Sequence, residues 1–178
     1  MSQDALDAYV QALENMSPMP DDDAPQMTAE LVDRYAELVG EIARELDRRF
    51  DTRAVGALVR SFGLGDGFET YWPTVHVIER FSHSEETYAL IRAGTGDDAP
   101  GVRLWCCLLL GRRRDLRDLP LFIACLDDTE ERVVVQALSS IRMLAQIHPV
   151  PAAIPSVVAL VADPRPAVAA AARDALPA

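Results

Sequence analysis

Apolar residues in this chain return at three- and four-residue steps in short blocks, and the blocks themselves recur at a nearly fixed interval. Val102, Val133 and Val168 hold equivalent positions 31 and 35 residues apart, and Tyr71 lies another 31 residues upstream in a weaker copy. The clearer copies share a turn followed by an apolar run: Asp98 to Val102 and Arg103, Leu126-Asp127-Asp128 to Val133, and Asp163-Pro164-Arg165-Pro166-Ala167-Val168. A fixed period of this length marks a supersecondary unit that cannot bury its apolar face alone and must stack on its neighbours. That requirement excludes most folds before any single motif is considered.

The steps within each block are helical. Leu6, Tyr9, Val10, Leu13 and Met16 open the chain with a short amphipathic helix. Ser17 to Met27 holds three prolines and the run Asp21-Asp22-Asp23, which predicts a solvated, flexible linker or an acidic lure for a cationic protein. Thr28 is placed to cap a long helix with the stripe Leu31, Tyr35, Leu38, Ile42 and Leu46. On its wet side Glu30 with Arg34, and Glu45 with Arg49, are spaced for i,i+4 pairing. From Asp51 the chain breaks into short helices: one carrying Val55, Leu58, Val59 and Phe62, and another after Gly65-Asp66-Gly67 that Thr70 is expected to cap, with Tyr71, Val75, Ile78 and Phe81. More are predicted near 84–93, 101–112, 117–126, 130–146, 152–161 and 166–176. Nothing alternates with a period of two for long enough to be a strand, so the expected class is all-α.

At the turn-and-valine positions the sequence resembles the HEAT-repeat (HEAT/armadillo-like) family, in which an Asp-Pro-type turn leads into Val-Arg and an Ala- and Leu-rich second helix. The resemblance spans about 51–178 and is strongest in the last copy. It implies a right-handed α-solenoid of about four hairpins, with residues 1–50 as an N-terminal helical extension, and a concave surface lined mainly by the second helices. Val102-Arg103 keeps the family dipeptide, whereas Val133-Val134 and Val168-Ala169 lack the Arg. That departure puts in question any ladder between repeats built from this side chain. The resemblance carries little about activity, because such repeats serve many unrelated tasks.

Charge narrows the partners. The net charge is -11, and all seventeen basic residues are Arg. With the abundance of Ala, this composition is associated with high-GC bacterial genomes. Displacing counterions from phosphates needs a cationic surface, so nucleic acid is not an expected partner. A basic protein is. Cys106, Cys107 and Cys125 sit in apolar runs without a Cys-x-x-Cys pair and are read as buried reduced thiols, which with the absence of a leader or membrane-spanning run predicts a cytoplasmic protein.

No constellation for catalysis, metal or cofactor emerges. His76, His83 and His148 lack metal-ligand spacing, and no nucleophile elbow, dinucleotide fingerprint or phosphate loop occurs. Two surface candidates for partner binding stand out. On the helix near 69–81, Trp72, His76 and Glu79 share a face beside the core stripe, and Arg103 with Trp105 would continue it onto the next repeat. Arg112, Arg113 and Arg114, with Arg117, form a basic cluster where one helix ends and the next begins. The expected function is a non-catalytic protein-binding module, in its specific form an immunity-like protein that neutralises a cognate toxin through the concave face. The alternatives are a scaffold or adaptor subunit and, from another class, a small enzyme or lyase using the groove. A monomer and a homodimer are both compatible with an open-ended stack.

Overall fold

In a computed structural model residues 3–176 are described, Gln3 and Asp4 by their backbone alone. The outermost positions of the expected 1–50 and 51–178 segments, 1–2 and 177–178, lie outside the described residues. Every regular element among them is helical: α1 (Gln3–Glu14), α2 (Ala29–Arg48), α3 (Thr52–Arg60), α4 (Tyr71–Phe81), α5 (Glu85–Gly94), α6 (Pro100–Arg113), α7 (Leu119–Cys125), α8 (Glu131–Ala145), α9 (Ile154–Leu160) and α10 (Pro166–Ala175). Single 3₁₀ turns, Leu116–Asp118 and Pro151–Ala153, lead into α7 and α9. The chain forms two compact units, one up to Val102 and one from Arg103, and the boundary falls inside α6.

In the first unit α2 supplies the central stripe. Thr28 caps it as expected, its hydroxyl accepting the Leu31 N–H at 3.2 Å. Tyr35, Leu38, Val39, Ile42 and Leu46 are buried. The ion pairs of its wet face fall at i,i+3: Arg34 turns to Glu37, and Glu45 takes Arg48, where i,i+4 partners were anticipated. Tyr35 is fully buried, and burial pushes its phenol up to about 12. It lies within hydrogen-bond distance of Ser61 Oγ (3.0 Å) and Thr74 Oγ1 (2.8 Å). Its ring meets Tyr71 edge-on, and Tyr71 meets Phe62 likewise, so three aromatics tie α2, the end of α3 and α4 together. Alongside α3 lies α1, with Asp7 on Arg53 and Glu14 on Arg60 at the same offset of 46 residues, so the two helices run parallel.

In the second unit α7 packs on α8, α9 on α10, and α10 on α8. From α8, Ser140 Oγ donates to the Cys107 carbonyl of α6 at 3.1 Å. The reference residues of the repeat, Tyr71, Val102, Val133 and Val168, are all buried. The recurrence has a local cause. Five residues before each reference valine an Asp carboxylate accepts the backbone N–H two residues on: Asp97 from Ala99 (2.9 Å), Asp128 from Glu130 (2.8 Å), Asp163 from Arg165 (2.9 Å). In the weaker copy Asp66 accepts from Glu69, three residues on. Such Asx turns start a helix by occupying backbone donors that have no partner within it. All three thiols are buried and outside any disulfide, and contact with Cys125 together with burial pushes the Cys107 thiol up.

Candidate functional site

The approach to α4 departs most from expectation. Thr70 does not cap the helix: its backbone is helical, and its hydroxyl donates instead to the Gly67 carbonyl. The turn before it has three successive residues in the left-handed region, Gly67 (φ 61°), Phe68 (φ 52°) and Glu69 (φ 71°). Glycine enters this region freely, but a residue as bulky as Phe does not. Something must hold the turn, and it is the acidic strap from the N-terminal half.

Asp22 reaches across 45 residues, accepting the Asp66 N–H (2.9 Å) on one carboxylate oxygen and the Gly67 N–H (3.0 Å) on the other. Room for that carboxylate exists because position 65 is Gly; a Cβ there would collide with it. Met19 is buried, and its N–H donates to the Ser61 carbonyl at 3.0 Å. Residues 17–27 are therefore a docked strap and not the solvated linker expected from their prolines and acids. Composition suggested solvation, but a carboxylate with two fixed backbone donors gains more from docking than from water.

The strap and turn set out the α4 surface. Phe68 is 59% exposed, the most exposed large apolar side chain among the described residues. Four residues on, Trp72 is 37% exposed, His76 is exposed and Glu79 half-buried, so these three share the face assigned to them from spacing. At the far end of α4, Phe50 lies against Phe81 with ring centroids 5.6 Å apart, and Arg80 sits over the Phe81 ring. Phe68 was missed in the sequence. The available signal was a bulky apolar residue directly after a Gly-x-Gly turn that no helical stripe absorbs.

Arg103 and Trp105 do not extend this surface. Trp105 is 5% exposed and belongs to the core. Arg103 is spent on a bidentate pair with Asp128, Nε to Oδ2 at 2.7 Å and Nη2 to Oδ1 at 2.9 Å, with side-chain exposures of 17% and 9%. One link of the kind put in question is therefore present, from Arg103 to Asp128. At the next turn, where Val134 replaces the Arg, Asp163 is clamped by its own Arg165 (2.9 and 3.0 Å), whose third nitrogen reaches the Asp128 carbonyl at 3.4 Å. The substitutions match: Asp128 is followed two residues on by Glu130 and borrows an Arg from α6, while Asp163 carries its own.

In the basic cluster, Arg112 and Arg114 are exposed and Arg113 is half-buried. Arg117 grips Asp115, holding that carboxyl down to about 2. Arg114 ends α6 in the left-handed region (φ 56°), its N–H donating to the carbonyls of Leu110 and Gly111.

Charge divides between the units. Up to Val102 there are twenty acids against eight arginines, a net of -12; from Arg103 there are eight acids and nine arginines, a net of +1. No Arg occurs before Arg34 or between Arg60 and Arg80, so the strap and turn carry only acids, and α4 carries His76, Glu79 and, at its far end, Arg80.

A groove of about 400 Å³ lies elsewhere in the first unit, between Val10, Glu14, Arg53, Gly56, Arg60 and Leu90. None of the residues selected from the sequence lines it. Among the described residues no cluster of His, Cys, Asp and Glu is arranged to hold a metal, and no helix is long and apolar enough to cross a membrane. No protein-family model matches the chain, and the curated proteins give no match either.

Proposed function

We propose that the chain is a HEAT-like helical-repeat protein of the cytoplasm that binds another protein and catalyses nothing, and that the partner is cationic. The observation that carries this reading is the segregation of charge: one compact unit holds a net of -12 together with the exposed aromatics Phe50, Phe68 and Trp72, and the other is near neutral. A field of one sign around aromatic side chains speeds encounter with a partner of opposite sign, and the aromatics then supply short-range contact. The HEAT-like assignment is supported by the recurring Asp turn five residues ahead of buried Val102, Val133 and Val168. In its specific form the protein is an immunity-like neutraliser of a basic toxin.

Affinity purification of the tagged protein from its native host, with mass spectrometry and stoichiometry of what co-elutes, tests this. One small basic protein at one-to-one stoichiometry, released by raised salt, is the expected result. Partners that are uniformly acidic, or none, would sink it. A scaffold with several weaker partners is the second reading, favoured by the exposed Arg112 and Arg114 on the near-neutral unit, a surface of opposite character. Several substoichiometric partners of mixed charge would decide for it.

A further inference from the structure

We infer that Phe68 is the apolar anchor of a docking surface, shared with Trp72, for a cationic protein segment that carries an aliphatic or aromatic side chain of its own. The inference rests on the protein-binding reading above and assigns it a place.

Three observations converge on the turn before α4. First, Phe68 and Glu69 both lie in the left-handed region that L side chains avoid, and outliers of this kind persist only where surrounding structure over-determines them. That structure is the Asp22 carboxylate on the Asp66 and Gly67 N–H groups. Second, the conformation so held turns a Phe ring toward solvent, 59% exposed, with Trp72 four residues on at 37%. Folding alone gains nothing from that arrangement, since an exposed ring contributes little burial and a Gly would adopt the backbone without strain. Third, Asp21, Asp22, Asp23, Asp66, Glu69 and Glu79 lie on the same strap, turn and helix, and the flanking Arg60 and Arg80 are paired with Glu14 and Asp47. An anionic bilayer or a nucleic acid is repelled by such a surface. A Lys- or Arg-rich segment with one apolar side chain fits both its parts.

The test is selection of a phage-displayed library of random dodecapeptides on the full chain at about 0.15 M salt. Selected peptides are then measured by fluorescence anisotropy against the wild type, Phe68→Gly and Trp72→Ala. The expected peptides are net positive and carry at least one aromatic or aliphatic residue. Their affinity falls about tenfold or more in Phe68→Gly, the size of a hot-spot loss. The melting temperature of Phe68→Gly stays level or rises, because Gly accepts the left-handed backbone. A purely structural role for Phe68 would not give that opposition of binding and stability. Neutral or acidic winners, or winners that bind Phe68→Gly as tightly as the wild type, overturn the inference. A stoichiometric host partner whose affinity ignores Phe68→Gly overturns it too, while leaving the protein-binding reading intact. Basic winners lost in Phe68→Gly, with no stoichiometric partner in the host, would uphold the surface and remove the neutraliser.

Discussion

Single residues decide whether the strap holds. Asp22 has two backbone donors on its carboxylate, and hydrogen bonds to a charged group are stronger than neutral ones. Asp22→Ala is expected to cost about 1–2 kcal/mol in urea unfolding, while Asp23→Ala, which removes charge of the same sign close by, stays near neutral; equal losses would refute the latch. Arg114 makes the converse case. It closes α6 at φ 56°, a conformation that suits Gly better, so Arg114→Gly should gain up to about 1 kcal/mol. The sequence marks Arg114 only as part of a basic cluster and Asp22 only within an acidic run, and neither role as a helix end or a latch is legible there. Asp21, Asp22 and Asp23 are identical in type, and only the fold shows which one meets Asp66 and Gly67. Phe68 was hidden for the same reason, since a turn residue has no periodicity to betray it.

Helices were far more legible. Apolar spacing located α5, α6, α8 and α10 to within a residue or two, and the start and stripe of α2, because a buried stripe such as Tyr35, Leu38, Ile42 and Leu46 must repeat at 3.6 residues whatever it packs against. Connections were less so: the loss of the Val-Arg dipeptide suggested a missing link, and the link proved to have moved into the turn, from Arg103 on Asp128 to Arg165 on Asp163. A double-mutant cycle on Arg103 and Asp128 should return a coupling of about 1–2 kcal/mol, and one on the more exposed Asp163 and Arg165 should return less. These turns also govern acid behaviour. Arg117 holds Asp115 down to about 2, and Arg165 holds Asp163 below the usual range. At Asp128 burial acts upward, but the hydrogen bonds from Arg103 and from the Glu130 N–H outweigh it and the carboxyl is lowered. Carboxyls depressed in the folded state contribute stability above their unfolded pKa of about 3.9 and lose it as pH falls through the folded value. Circular dichroism at fixed urea should therefore stay level down to about pH 4 and decline below it. With Arg103→Gln, stability near neutral pH should fall and the acid-dependent part of the decline should shrink, because Asp128 is no longer held down; an unchanged profile would show that Asp128 does not depend on that pair.

At the scale of the whole molecule, charge is the organising quantity, and the total of -11 conceals it. Only the division at Val102 shows that the first unit carries -12 and the second +1. Like charges repel within the first unit, and salt screens them over about 10 Å at 0.1 M. Moderate salt should accordingly raise the stability of the folded chain while slowing its association with a cationic partner. Stopped-flow association rates across a salt series, beside melting curves in the same buffers, will show whether the two move in opposite directions. If association is indifferent to salt, charge does not steer the encounter.

The placement of sulfur gives the molecule a built-in clock. Cys106, Cys107 and Cys125 all lie in the second unit, the first two fully closed off from solvent and the third nearly so, and the first unit has no cysteine at all. A thiol reagent added to the native protein reaches Cys106 and Cys107 only when α6 opens. The alkylation rate thus times the breathing of one half of the chain while the other half stays silent, with no label introduced.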